Sequence, residues 1–151
     1  MMEKDSKKAT SDNEEMDKKN YKIVGIRGAT SLGSDEPEEI REKVVELWNE
    51  INSQNDIERI VSVMFSVTPD IKSFNPATAL REGLLVEDIP LMCLQEAMFE
   101  NSPQRIIRIL VICESTTQNF VYIHDAENLR GKNRGYSASI FPSYTNHNLS
   151  G

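Results

Sequence analysis

The run "RIIRILVIC" (105–113) limits what this chain can fold into more than any other stretch. Its nearly unbroken, β-branched apolar character is that of a strand near the middle of a sheet. Yet Arg108 sits inside it, and alternation places that arginine on one face with Ile106, Leu110 and Ile112. The run "IPLMCLQEAMF" (89–99), also apolar enough to be central, repeats the problem with Glu96, which shares a face with Met92 and Leu94. An ionised group on such a face is unfavourable unless it is paired or hydrogen-bonded. Two readings follow: a structural Arg108–Glu96 ion pair across the sheet, or a binding site.

The other segments supply a frame around these strands. "YKIVGIR" (21–27) predicts a short strand that turns within "GATSLGSDEP". Asp35 with Glu38 three residues later predicts an acidic capping box, and Pro37 suits a first helical turn. The helix then runs to about Ile51, with Ile40, Val44, Leu47, Trp48 and Ile51 spaced to bury one face. "RIVSVMFSVT" (59–68) alternates, with Val61, Val63, Phe65 and Val67 on one side and Ser62, Met64 and Ser66 on the other. "NPATALREG" (75–83) predicts a short helix with Asn75 as N-cap, Pro76 first and Gly83 just past its end. "NFVYIHD" (119–125) is a last strand. The order β-α-β-α-β-β-β, with mostly short connections, predicts an α+β fold: a mixed or antiparallel sheet with helices packed on one face.

Charge excludes more than it suggests. Of the net −7, most lies between Asp35 and Glu50, where seven acids meet only Arg41 and Lys43 on one solvated helix face. There is no basic stripe for nucleic acid. No apolar run reaches the ~18–20 residues of a membrane span. Residues 1–20 carry six acids, five lysines and no apolar stretch, which predicts a disordered extension and a cytoplasmic protein. Residues 21–130 would form the folded domain, and residues 131–151, rich in glycine, serine and asparagine, a flexible tail. Cys93 and Cys113 sit in apolar runs without CxxC spacing, and His124 and His147 are isolated. No metal cluster, phosphate loop or nucleophile–base arrangement is visible.

Arginines do stand out. Arg27, Arg81, Arg108 and Arg130 lie near element ends, with Glu96 their one obvious interior partner. Surplus positive charge at a half-buried place points to an anionic ligand, and arginine's planar fork favours a carboxylate or phosphate. The glycines on either side of Arg27, Gly25 and Gly28, suit a bend or a close approach by ligand or backbone. These features together predict a pocket for a small anion such as a dicarboxylate.

Five blocks in order, "GIRGAT", "SVTPD…NPATALRE", "IPLMCLQE", "IIRILV" and "VYI…LR", closely resemble the AroH class of chorismate mutase, from about Tyr21 to Arg130. The resemblance implies a homotrimer, a trimeric pseudo-barrel with active sites in the clefts between subunits. The reaction it implies is the [3,3]-sigmatropic rearrangement of chorismate to prephenate, in phenylalanine and tyrosine biosynthesis, with no cofactor, metal or covalent intermediate. It also assigns roles. Arg108 would face the ether oxygen of the breaking bond, and Glu96 would accept a hydrogen bond from the ring hydroxyl with Cys93 beside it. Arg27 and Tyr122 would meet carboxylates. Arg81, with Ala77 in the same wall, would come from the adjacent subunit, and Leu129 and Arg130 would close over the site.

The departures from the family pattern are local. Asn75 stands where a relative has an aromatic residue before the proline, Phe74 lies one position earlier, and Met92 replaces a threonine. The connection before "FVYI" is also shorter. These changes bear on the pocket rim, where Asn75 would contact substrate. The competing expectation is a non-catalytic trimeric module that binds small anions.

Overall fold

The computed structural model describes residues 19–84 and 87–130. The expected N-terminal extension, apart from Lys19 and Asn20, and the 131–151 tail lie outside the described residues.

The chain order is β1 (Lys22–Ser31), α1 (Pro37–Gln54), β2 (Ile57–Val67), α2 (Pro76–Leu84), β3 (Leu91–Gln95), β4 (Ile106–Ser115), β5 (Val121–Tyr122) and the 3-10 helix η1 (His124–Arg130). The strands form one mixed sheet in the order β3-β2-β4-β1-β5. β4 lies at its centre, antiparallel to β1 and β2, while β3 and β5 join the edges in parallel with β2 and β1. Both long helices cover one face. Ile40, Val44, Leu47, Trp48 and Ile51 of α1 and Leu80 of α2 pack on Ile26, Val63, Phe65, Ile107, Ile109 and Val111 of the strands. The expected α+β class and one-sided helical layer are what the structure has.

Several local expectations need correction, among them the last strand, which is only Val121–Tyr122 and passes into η1 at His124. β1 does not turn after Arg27 but runs on to Ser31, because Ala29, Thr30 and Ser31 pair with Arg108, Ile107 and Ile106 of β4. Gly28 serves this extension: a Cβ there would lie 2.9 Å from the Val121 carbonyl oxygen, so its absence admits β5 alongside. The capping box does not form. The cap position of α1 is Glu36 without a side-chain bond, and Asp35 instead accepts the amides of Lys72 and Ser73 at 3.0 and 3.1 Å. In β2, an irregular register between Ile60 and Ser62 breaks the alternation, so Val61 faces solvent while Ile60 packs on the core.

The third apolar run is the largest surprise. β3 is a five-residue edge strand, and the chain leaves the sheet at Glu96. The apolar run had suggested a central strand, but Met92 and Leu94 stand half-exposed on the face that the helices leave open. α2 keeps its expected start: the Asn75 Oδ1 accepts the Ala77 amide at 2.9 Å. It ends two residues late, at Leu84, with Gly83 inside its last turn.

Candidate active site

The face of the sheet opposite the helices carries the site. In β4 the residues of odd number from Ile107 to Ser115 are buried toward the helices, and Arg108, Leu110 and Ile112 are half-buried on the other side. Register aligns Ser66 of β2, Arg108 of β4, Ala29 of β1 and Tyr122 of β5 in one row across four strands. Arg27 pairs with Leu110, which sets it diagonally from Arg108 on the same face. A cleft of about 340 Å³ opens above this row, lined by Arg27, Met64, Ser66, Leu94, Arg108, Leu110 and Tyr122 among others.

Arg108, one of these lining residues, pairs with Glu96. The arginine Nε lies 2.5 Å from the Glu96 Oε1, which also accepts a 3.3 Å hydrogen bond from the Ser66 hydroxyl. Glu96 stays within reach because its amide donates to the Val67 carbonyl at 2.8 Å, holding the chain to β2 one residue past β3. The contact uses Nε, one of the five N–H donors of the guanidinium. The predicted ion pair exists, and its arginine lines an open cleft rather than a closed core.

The start of β4 is pinned from below. The Thr68 hydroxyl accepts the Ile106 amide at 3.0 Å, and the Asp70 carboxylate takes the Arg105 amide at 2.9 Å. Arg105 has a positive φ of 52°, a conformation that a non-glycine residue adopts when its surroundings hold it there. The "TPD" segment thus fixes the turn that delivers Arg108 two residues into its strand. Nothing in the sequence pattern singles out Ser66, Thr68 or Asp70; only their hydrogen bonds mark them.

Around the rim, Arg27 is exposed, and its guanidinium lies 4.6 Å from the centre of the Phe120 ring. Leu129 of η1 packs with Tyr122 against Ala29, Ile106 and Ala126, which brings η1 over the end of the row. Arg130 ends η1, and its side chain lies outside the described residues.

The remaining candidates lie elsewhere in the chain. Arg81 is exposed on α2, in the helical layer behind the sheet, where Ala77 is buried. Asn75 spends its side-chain oxygen on the helix cap. Phe74 lies under Arg41, 4.1 Å from ring centre to guanidinium, and packs against the core. Cys93 packs against the core on the helical side, and burial pushes its thiol up from the ordinary value, which keeps it protonated.

With this geometry in view, residues 23–132 match the family described as chorismate mutase type I. The chain belongs to that family. It is a chorismate mutase, an isomerase. Two curated relatives are each 34% identical to it: chorismate mutase AroH of Bacillus subtilis, over 62% of this chain and 75% of that one, and chorismate mutase AroH of Thermus thermophilus, over 72% and 93%. Among solved structures, a chorismate mutase from Clostridium thermocellum superposes with a TM-score of 0.66 at 28% identity, covering 70% of this chain and 99% of that one. The mixed sheet with helices on one face is therefore that of this family of mutases.

Proposed function

We propose that the open-face cleft carries out the rearrangement of chorismate to prephenate, in the cytoplasm, in a homotrimer whose neighbouring subunit completes each site. A pericyclic step needs no acid, base or nucleophile. It needs the substrate held in its compact, chair-like conformer, and it needs stabilisation of the charge that separates as the C–O bond lengthens. Arg27 and Tyr122 hold the carboxylates at one end of the row, restricting the conformers available. Arg108 turns its Nη edge toward the ether oxygen, which gains negative charge in the transition state. Glu96 accepts the ring hydroxyl and complements the cationic side of the stretched allyl system.

The observation that carries this reading is Arg108, which pairs with a Glu96 steadied by Ser66 and lines the same cleft as Arg27 and Tyr122. Both charges are in place before substrate arrives, and preorganised groups of this kind contribute most in a site that excludes water. A millionfold acceleration requires about 8 kcal/mol. One well-placed donor contributes about 3–4 kcal/mol of that, and positioning supplies the rest.

Assembly is supported by the surface. Ile23, Met92, Leu94, Met98 and Phe99 are large apolar side chains left exposed, Phe99 to 75%, and Ile23, Met92 and Leu94 lie on the open sheet face. Exposed apolar side chains gathered in this way are a mark of an interaction surface. Covering that face with a second copy would bring in Arg81, with Ala77 in the same wall, from the neighbouring subunit, while Cys93 lies beside Glu96, Asn75 belongs to the rim, and Leu129 and Arg130 close over bound substrate. The decisive experiment follows the ultraviolet absorbance of chorismate with purified protein beside the Arg108→Ala variant. Loss of chorismate with prephenate as product, abolished in the variant, is the expected result. A folded protein that binds chorismate without turning it over would instead be a small-anion-binding module.

A further inference from the structure

We infer that Phe120 is a positioning residue for Arg27: its ring is a fixed plate that holds the guanidinium at the mouth of the cleft. The inference rests on the proposal that Arg27 grips a substrate carboxylate, and it concerns a side chain to which neither the sequence motifs nor the reaction assigns a role.

Arg27 would otherwise be poorly suited to that task. It projects from β1 as an exposed side chain, and no described carboxylate forms an ion pair with it. A long arm with free rotamers must be ordered each time it binds, and that ordering weakens binding. The Phe120 ring, 4.6 Å from the guanidinium carbon, offers its face to the cation and limits where the arm can lie. A stacked guanidinium still directs its N–H donors outward in the plane of the fork, so stacking and carboxylate binding are compatible.

The plate itself is held firmly. Phe120 is half-buried and packs against the main core. The two residues before it are tied to both neighbouring elements. Gln118 Nε2 donates to the Gly25 carbonyl of β1 at 2.9 Å, and the Asn119 amide and side chain bond Asn55 Oδ1 and the Gln54 carbonyl, each at 2.8 Å. The residue after it, Val121, is paired with Gly28 of β1, which sets Phe120 level with Arg27. Gly25 and Gly28, on either side of Arg27 in the sequence, are thus the points on β1 to which the Phe120 segment is fastened.

The test is the kinetics of chorismate loss in Phe120→Leu, Phe120→Tyr, Arg27→Ala and the double variant Arg27→Ala/Phe120→Leu, with thermal melts of each. Phe120→Met stands in if the leucine variant does not fold. Cation–π contacts at exposed sites correspond to about two- to fivefold in an equilibrium constant. Phe120→Leu is therefore expected to raise KM by about that factor while kcat stays within about twofold, with Phe120→Tyr near wild type. In the Arg27→Ala background the leucine substitution should change KM no further. A lowered melting temperature with unchanged KM would overturn the inference, as would an equal rise in KM whether or not Arg27 is present. If Arg27→Ala itself leaves KM unchanged, the carboxylate role of Arg27 falls, and this inference falls with it.

Discussion

Replacing Arg108 by alanine should separate catalysis from stability, because the structure gives the two effects very different sizes. The Arg108 and Glu96 side chains are 36% and 22% exposed in an open cleft. A pair so accessible to water couples weakly, by about 0–1 kcal/mol, and its loss should lower Tm by only about 4 °C in a domain of this size. Glu96 keeps the Ser66 hydroxyl as a partner after the change. The activity should fare differently. Removing a preorganised donor from a developing oxyanion typically costs about 10²–10³ in kcat. Arg108→Lys should fall between the two: it keeps the charge, but one ammonium replaces a fork that contacts Glu96 through Nε and is proposed to offer its other donors to substrate. Initial rates across a range of chorismate concentrations give kcat and KM, and circular dichroism melts give Tm. A folded Arg108→Ala protein with kcat within about threefold of wild type would refute the reasoning, since roughly 0.7 kcal/mol is too little for a group facing the breaking bond.

Further expectations concern neighbouring positions. Arg81→Ala should mainly raise KM, since Arg81 is assigned to the entrance and not to the reacting atoms; a collapse in kcat with KM unchanged would reverse that assignment. Gly28→Ala should destabilise the fold by about 1–3 kcal/mol and impair turnover through Tyr122, because the new Cβ meets backbone at the Val121 oxygen, 2.9 Å away. Gly25→Ala meets only the Leu110 side chain at 3.3 Å and should be tolerated, so equal melting temperatures for the two variants would contradict this account. Asn75→Ala removes the cap of α2 and should cost about 1 kcal/mol, recovered by Asn75→Ser, whereas a KM effect without loss of stability would show contact with substrate. Glu39 accepts hydrogen bonds from the Gly33 amide and from the Ser34 hydroxyl and amide, and these hold its carboxyl below the ordinary value. Its contribution is therefore complete above the ordinary glutamate range and fades as pH falls through the lower, folded value. Glu39→Gln should flatten that part of the acid stability profile measured by thermal melts.

What could be read from the sequence, and what could not, divides along the reach of the interactions involved. Helix α1 was legible because its five buried residues repeat at a local period, and β4 because an apolar run of that length has few other uses. The extension of β1 through Ser31 was not, since "GATS" looks like a turn until Ala29 finds Arg108 and Ser31 finds Ile106 across the sheet. Composition likewise suggested that β3 was central. Its apolar residues are those of an edge strand whose outer face is left uncovered in the single chain. The same division runs through the candidate site. Arg108 and Glu96 announce themselves because a charge on an apolar strand demands a partner. Ser66, Thr68, Asp70 and Phe120 do not, because a serine on a strand, a threonine at its end or a phenylalanine before "VY" each has an ordinary structural use. What distinguishes them is the residue each one steadies: Ser66 the carboxylate of Glu96, Thr68 and Asp70 the turn into Arg108, Phe120 the guanidinium of Arg27. In this cleft the charged groups can be found from the sequence by their cost, but the groups that aim them can be found only from the coordinates. The variants that best separate binding from turnover therefore lie among the supporting residues, where a change moves a charge without deleting it.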